Sequence, residues 1–327
     1  MTASPRPKAP NDSPAGPRRG VPVQHPRSKA SGRPKAGGRP KKRRAPGWVP
    51  DHHGAWAMIA IPALAGVVIG GPSWRHLPLL GLWWVGYFFF NAASLWLKSR
   101  RRARFFPPVR VYGLTLIPLA LAVAISAPWL MGWALWFAPL LATTAWCSAR
   151  RKDRSLLNDV VTVAAACLMT MVTFDAASIP ASFTSGVAFD PLAVTRPDVW
   201  APSRTWGVDP ITSTAWAWRV TAVFAVYFIG TIPHVKALIR ERDNPAYVVG
   251  TAVYHALALI GAILAVATTW WTPGLPSACL VALAVICLAR TIAMPLMQRR
   301  SGTMRPRVIG VTEVVVSLLL LPIVLIN

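Results

Sequence analysis

Residues 247–269 have the sequence YVVGTAVYHALALIGAILAVATT, which is 23 residues without a Lys, Arg, Asp or Glu. An α-helix rises 1.5 Å per residue, so about 20 apolar residues cross the hydrocarbon core of a bilayer. Backbone groups without partners are costly in lipid, and only helices and closed barrels avoid that cost. Because the apolar run is continuous rather than alternating, it predicts a transmembrane helix.

Eight other stretches are also long and predominantly apolar. The nine predicted spans are 55–70, 77–97, 109–126, 129–147, 158–178, 215–238, 247–269, 275–295 and 308–326. Over the whole chain of 327 residues, 54% are hydrophobic and 14% are charged, whereas about a quarter of a soluble domain is charged. This composition excludes a single water-soluble globule and predicts an all-α, polytopic bundle of about nine transmembrane helices.

The N-terminal segment has a different composition. Residues 1–50 hold 13 of the 35 Lys and Arg and one acidic residue, Asp12. Pro, Gly and Ser are frequent and large apolar side chains are rare, so the segment cannot bury enough surface to offset its chain entropy. We therefore expect residues 1–47 to form a disordered basic tail, without a signal peptide, and residues 48–327 to form the membrane domain. Nucleic-acid binding is not expected, because the basic residues lack interleaved aromatic side chains.

Basic residues also predict the orientation in the membrane. With the tail placed inside, the loops on its side are 98–110, 150–154, 236–242 and 290–307, with 6, 4, 3 and 5 basic residues. The tail and these loops together hold 31 of the 35 Lys and Arg. Cytoplasmic loops carry the excess of such residues, so the N-terminus is predicted to be cytoplasmic. An odd number of spans then places Asn327 outside the cell membrane.

Polar residues within the predicted spans are candidates for function, because each of them costs free energy in lipid. By the predicted topology they lie in the cytoplasmic halves of their helices, which indicates a polar cavity open to the cytoplasm. The candidates for catalytic proton transfer are His53, Asp159 and Glu313. The candidates for substrate binding are Asn91, Lys98, His234, Arg240 and His255.

All of these residues except Lys98 are predicted to converge on that cavity. An imidazole or carboxylate can titrate near neutral pH when its surroundings shift it, which favours the catalytic roles. Lys98 and Arg240 are predicted to hold an anionic head group. The alternative is that the polar residues are interhelical hydrogen bonds, worth roughly 1 kcal/mol each. No metal site is predicted, and the four cysteines form no CxxC pair.

A weak internal repeat is visible. YFFFNAASLWLKSRRR, residues 87–102, and YFIGTIPHVKALIRER, residues 227–242, each close a predicted span and open a basic loop. The offset of four spans predicts two four-helix repeats followed by a ninth helix.

The motif WVPDHHGAWAMIAIPALAG, residues 48–66, resembles the opening of the YwiC-like family of bacterial membrane proteins. RRKDRSLLND, residues 150–159, and IRERDNPAY, residues 239–247, resemble later polar segments of that family. The resemblance implies the architecture of the whole membrane portion, residues 48–327. It does not imply a reaction.

Nine helices with polar loops after spans two and six are also similar to the UbiA superfamily of prenyltransferases. That resemblance implies an isoprenyl diphosphate held through Mg²⁺ by Asp-rich motifs. Here only Asn91, Glu241 and Asp243 resemble those motifs, and Arg or Lys cannot supply the oxygen ligands that Mg²⁺ needs. Basic side chains are therefore predicted to bind an anionic lipid, such as an isoprenoid, directly.

Three classes of function stay open, because no motif specifies a reaction. A lipid-modifying enzyme predicts a cytoplasmic cavity with lateral access for lipid. A proton- or anion-coupled transporter predicts a polar path through both halves of the membrane. A scaffold predicts that the polar residues only hold helices together. No cofactor or oligomeric state follows from the residues.

Overall fold

A computed structural model describes residues 47–50, 53–152, 154–177 and 214–325. Within these residues all regular structure is helical, and the α-helices number nine. They are α1 (His53–Gly70), α2 (His76–Lys98), α3 (Phe106–Ser126), α4 (Ala134–Ala149), α5 (Leu156–Ala177), α6 (Thr214–Ile239), α7 (Pro245–Ala267), α8 (Leu275–Ser301) and α9 (Pro306–Leu325). Short 3₁₀ helices, Ala103–Phe105 and Pro128–Trp133, precede α3 and α4.

Eight stretches, each built on one of α2 to α9, are long and apolar enough to cross a membrane, and α1 adds a shorter apolar helix, Ala55–Gly70. The predicted all-α membrane bundle is therefore confirmed: the chain is a multi-pass membrane protein. The largest difference from the predicted spans is at α8, which continues to Ser301 rather than ending near residue 295. The predicted tail, residues 1–47, lies outside the described residues apart from Gly47.

Helix α1 packs mainly against α5 and also against α9. The sequence GVVIG, residues 66–70, places two glycines one turn apart on the face toward α5. A Cβ atom at Gly66 would lie 2.1 Å from the backbone oxygen of Thr170, and one at Gly70 would lie 2.9 Å from the backbone oxygen of Phe174. Small residues at this spacing let two helix backbones approach closely. The Thr173 hydroxyl then donates across the contact to the Ala63 carbonyl at 2.9 Å.

The remaining helices form closely packed pairs, namely α2 with α3, α5 with α6, α6 with α7, and α7 with α8. Helix α1 meets α2 through large side chains: the Trp83 indole donates to the Ile59 carbonyl at 3.0 Å, and the Trp56 and Trp84 rings stack at 5.6 Å. The pair α1 and α2 is thus packed differently from the pair α5 and α6. Duplication of four helices stays a prediction.

Buried polar groups also occur at the end of the bundle away from the basic loops. His76 Nε2 donates to the Thr173 carbonyl at 2.7 Å, and the Trp133 indole donates to an Asp175 carboxylate oxygen at 2.8 Å. His76, which precedes the apolar part of α2, was not among the polar groups predicted from the sequence. Buried polar groups are therefore not confined to the half of the bundle where they were expected.

Candidate functional site

A buried ion pair joins α8 to α9. Arg290 Nη1 donates to Glu313 Oε1 at 2.6 Å, and the side chains are only 7% and 10% exposed. The two helices form a hairpin around Gly302, and the two residues stand 12 positions before and 11 positions after that glycine. At 1.5 Å per residue, Arg290 lies about 16 Å before the end of α8 and Glu313 about 10 Å after the start of α9, so both are well inside their helices. Charges at such a depth are retained when they pair with each other.

Two histidines extend this pair toward α6 and α7. His234 Nε2 lies 3.6 Å from Glu313 Oε1, and the His234 side chain is fully enclosed. The rings of His234 and His255 face each other edge to face, with centroids 6.2 Å apart. Four helices thus contribute one titratable or cationic side chain each. We call Arg290, Glu313, His234 and His255 the buried polar cluster.

The hydrogen bond of His255 determines which of its ring nitrogens carries the proton. Nδ1 lies 2.8 Å from the Thr251 carbonyl oxygen. A carbonyl only accepts, so Nδ1 is the donor, and in the neutral ring Nε2 keeps its lone pair. Nε2 lies toward α6 at Gly230, where a Cβ atom would come within 3.1 Å of it. His255 therefore offers an acceptor for an incoming O–H or N–H group.

Tyr227 of α6 contacts both α8 and α9 beside the cluster. Its hydroxyl lies 3.2 Å from the Glu313 carbonyl oxygen and 3.1 Å from Ser317 Oγ. The Arg290 guanidinium lies over the Tyr227 ring, 5.9 Å from its centroid. Arg290 is thus held between a carboxylate and an aromatic face, an arrangement that stabilises a cation away from water.

A cavity of about 420 Å³ lies beside the cluster, between α6, α7 and α8. Its wall is almost entirely apolar, and small residues of α7, including Ala258, Gly261 and Ala265, leave the space open. The polar lining groups, His255 among them, are near the end that meets the cluster, and Trp270 lies near the other. Along α7, His255 and Ala265 are about 15 Å apart at 1.5 Å per residue. The cavity is an elongated apolar space with a polar end.

The structure brings together His234, His255 and Glu313 from the eight predicted site residues. Asp159 is elsewhere: it lies in the first turn of α5 and pairs with Lys236 of α6 at 2.7 Å. That pair is partly exposed, so Asp159 has no part in the cluster. The structure thus pairs Asp159 with Lys236 of the neighbouring helix rather than with the other three residues.

The other predicted residues occupy separate places. Arg240 follows the last residue of α6, and its side chain is exposed. Asn91 is half-buried on α2, and in the described part of the chain no hydrogen bond or ion pair joins it to the cluster. Lys98 lines a second, basic pocket at the end of α2. His53 begins α1, and its side chain lies outside the described residues.

Arg290 belongs to the cluster but was not among the site residues predicted from the sequence. It was counted with the basic loop 290–307, whereas it lies buried within α8. A signal was present, because Arg290 and Glu313 are almost equally distant from Gly302 and a buried acid requires a partner. No group of three His, Cys, Asp or Glu side chains in the described ranges could hold a metal ion. The cluster can instead accept hydrogen bonds and protons.

Comparison with known proteins identifies the family. A family model described as YwiC-like protein matches residues 49–174. A Bacillus subtilis (strain 168) protein described as uncharacterized protein YwiC is 30% identical over 219 residues, which are 65% of this chain and 78% of the relative. The chain belongs to the YwiC-like family. A Haemophilus influenzae protein described as uncharacterized is 26% identical to this YwiC-like chain over 218 residues, 65% of the chain and 76% of the relative.

No solved structure matches this YwiC-like protein with significance. The segment matched by the family model ends within α5, so the buried polar cluster and its cavity lie beyond that segment. The architectural likeness to UbiA-type prenyltransferases stays a prediction.

Proposed function

We propose that the protein binds a long-chain lipid in the cavity between α6, α7 and α8, with a hydroxyl-bearing head at His255. The observation that carries this proposal is the shape and chemistry of the cavity, an apolar space of about 420 Å³ that ends at an imidazole and an ion pair. Its volume is within the range of about 300–1,000 Å³ that is usual for ligand pockets.

Lipid is the ligand class that this position favours. Val226 and Leu257 line the cavity and are 45% and 62% exposed, on helices that cross the membrane. A hydrocarbon chain can therefore enter sideways between α6 and α7, whereas a polar ligand would lose its hydration along an apolar wall. The hydrocarbon fits the cavity, and the head group meets the only strongly polar end of it.

The polar end supports a lipid alcohol or phenol, with an isoprenoid as one such ligand. The neutral His255 ring accepts a hydrogen bond at Nε2, so the ligand group opposite must be a donor. His234 and Glu313 stand behind His255 as further proton acceptors. Proton acceptors in line with the hydroxyl group favour a lipid-modifying enzyme, in which His255 takes the hydroxyl proton, over a scaffold.

Filling the cavity tests the proposal. Gly261 lines the cavity and has open space where a Cβ atom would stand, so Gly261→Leu occupies the space without a backbone clash. Gly250 is on the same helix, is equally open and lies outside the cavity, so Gly250→Leu is the matched control. Each protein is purified in mild detergent, and the lipids that copurify are identified by mass spectrometry.

We expect a hydroxyl-bearing long-chain lipid to be enriched with the wild type and with Gly250→Leu and to be lost with Gly261→Leu. His255→Phe keeps the apolar wall but removes the acceptor, so it should weaken retention of that lipid. A generic phospholipid set with the wild type, or equal retention by both glycine variants, would refute the proposal.

We infer the orientation from the basic loops: the N-terminus and these loops face the cytoplasm, and the C-terminus faces the outside of the cell membrane. The polar cluster then lies in the cytoplasmic half, because it is nearer the ends of α6 to α9 that carry the basic residues. Reporter fusions test this. Fusions at Arg102, Arg154, Glu241 and Gly302 should behave as internal, and fusions at Val199 and Asn327 as external. Two reversed results would overturn the orientation.

Proton-coupled transport is the second candidate. It is favoured by titratable groups at both ends of the bundle, His234 with Glu313 at one and His76 with Asp175 at the other. In proteoliposomes with a pH gradient and an internal pH-sensitive dye, a transporter would pass protons at a rate that Glu313→Gln lowers. The enzyme proposal expects no proton flux above that of empty liposomes.

A further inference from the structure

A second pocket, of about 450 Å³, lies at the ends of α2 and α4. It is lined by basic side chains from two loops that are about 50 residues apart in sequence, together with a few uncharged residues. Among the residues that the structure describes, those lining the pocket are Leu95, Lys98, Ser99, Arg100, Arg102, Arg104, Phe105 and Arg151. Five of these eight described residues are basic and none is acidic. The pocket is built by helices other than those around the lipid cavity, so it does not depend on the function proposed above.

Tertiary contacts join the two loops. Arg151 Nη2 donates to the Lys98 carbonyl oxygen at 3.3 Å, and the Ser94 and Ser148 hydroxyls lie 3.2 Å apart between α2 and α4. Within the first loop the Arg102 amide donates to Ser99 Oγ at 3.2 Å. These contacts bring the basic side chains of both loops to one opening.

Both helices are followed by arginines in a left-handed backbone conformation. The φ angles are 58° at Arg100, 59° at Arg101 and 57° at Arg151. Each helix end is closed by a backbone hydrogen bond, from the Arg101 amide to Trp96 and from the Lys152 amide to Cys147. Glycine is the usual residue at such a position, and a larger side chain costs about 1 kcal/mol or more there. Two of these three arginines, Arg100 and Arg151, line the pocket, so their side chains are placed there in spite of that cost.

Neither general reason for basic loops explains the pocket. A helix C-terminus attracts cations, but that attraction is worth only about 0.3–1 kcal/mol per residue and falls off within the last turn. The positive-inside preference accounts for basic residues anywhere in a cytoplasmic loop, not for five of them around one opening. Like charges that share an opening repel each other, and an anion placed among them removes that repulsion.

Arginine also specifies the kind of anion. Its planar guanidinium gives two parallel N–H donors that match the oxygens of a phosphate. Two tryptophans near the same helix ends carry cations on their faces. Arg101 lies 5.8 Å from the ring centre of the half-buried Trp96, and Arg150 lies 6.0 Å from that of the exposed Trp146. Tryptophan is enriched where a membrane meets water, so the pocket lies at the level of lipid head groups.

We propose that this pocket binds phosphate oxyanions, supplied by an anionic lipid head group or by a soluble phosphate compound. The full chain is reconstituted in nanodiscs of phosphatidylcholine, with or without phosphatidylglycerol. Native mass spectrometry counts bound phosphatidylglycerol. Inorganic pyrophosphate, titrated against the phosphatidylcholine nanodiscs, is followed by the rise in melting temperature.

The pocket variant is Arg102→Gln with Arg104→Gln, at two exposed positions in the first loop. The matched control is Arg240→Gln with Arg242→Gln, which removes the same charge from exposed positions of the loop between α6 and α7. We expect the wild type and the control to bind at least one probe and the pocket variant to bind it at least about tenfold more weakly, because charge-assisted hydrogen bonds are lost. Arg102→Lys with Arg104→Lys keeps the charge but loses the paired N–H donors of the guanidinium, so this variant should bind with intermediate affinity.

Binding of phosphatidylglycerol without pyrophosphate would identify a lipid head as the source, and binding of pyrophosphate in phosphatidylcholine alone would identify a soluble phosphate. Equal weakening by the control pair would overturn the proposal, because surface charge rather than a pocket would then be responsible. Absence of binding of both probes by the wild type would overturn it as well. Neither result bears on the lipid cavity, since copurified lipid is measured with different variants.

Discussion

Removing the charge of Glu313 should destabilise the protein strongly. Glu313→Gln leaves Arg290 charged, 7% exposed and without its carboxylate. Only Nη1 of Arg290 bonds to Glu313, and in the described part of the protein the Nε and Nη2 atoms have no hydrogen-bond partner. Breaking a buried ion pair by removing one partner costs about 3–5 kcal/mol. We expect a loss in that range in the free energy of unfolding.

Removing Arg290 instead of the charge of Glu313 should lower the free energy of unfolding by less. Arg290→Met leaves the Glu313 carboxylate unpaired, but a carboxylate can lose its charge by binding a proton, whereas a guanidinium stays charged. The double variant, Arg290→Met with Glu313→Leu, leaves no charge unpaired and should recover most of the loss. The expected order of stability is therefore wild type, double variant, Arg290→Met and then Glu313→Gln.

The assay is reversible unfolding by titration with sodium dodecyl sulfate in mixed micelles, followed by tryptophan fluorescence. The control is Thr312→Val, since Thr312 is only half-buried and its hydroxyl donates within α9, to Val308; it should change stability by less than about 0.5 kcal/mol. A cost below about 1 kcal/mol for Glu313→Gln, or a double variant as unstable as the sum of the single variants, would refute the reasoning.

The same unfolding assay checks the remaining expectations. Gly66→Ala places a methyl group 2.1 Å from a backbone oxygen of α5 and should cost about 3 kcal/mol, whereas Gly86→Ala meets open space and should be neutral; equal effects would contradict the close contact of α1 with α5. Asp159→Asn removes the partly exposed pair with Lys236 and should cost less than about 1 kcal/mol, with a smaller effect in high salt. Deletion of residues 2–40 should leave membrane insertion and unfolding unchanged, and loss of either would show that the tail is part of the folded domain.

The helices could be predicted well from the sequence because each span is a local property. An apolar run such as residues 247–269 has to satisfy its backbone hydrogen bonds within itself, so its composition and length are sufficient to identify it. The less certain boundary was the end of α8, where the helix continues past the apolar residues to Ser301. Basic side chains at Arg299 and Arg300 let the helix leave the membrane without ending.

The sites could be predicted only in part. Polar side chains within apolar spans singled out His234, His255 and Glu313 as candidates, and the structure places these three together. Asp159 had the same signal but meets Lys236 instead. Spacing along one helix gives the direction of a side chain relative to its own helix, but it contains no information on which helix lies opposite.

The sequence by itself determined a multi-pass helical membrane protein of the YwiC-like family, because hydrophobicity, helix length and the HHGAWAM motif act locally. Only the tertiary structure decided that α1 packs on α5, that Arg290 rather than a loop residue meets Glu313, and that an apolar cavity ends at His255. The physical reason for this division is that lipid surrounds the helices. In lipid every apolar helix face is equally tolerated, so neighbours are chosen by close packing at glycines and by the pairing of buried charges, and both depend on two helices at once.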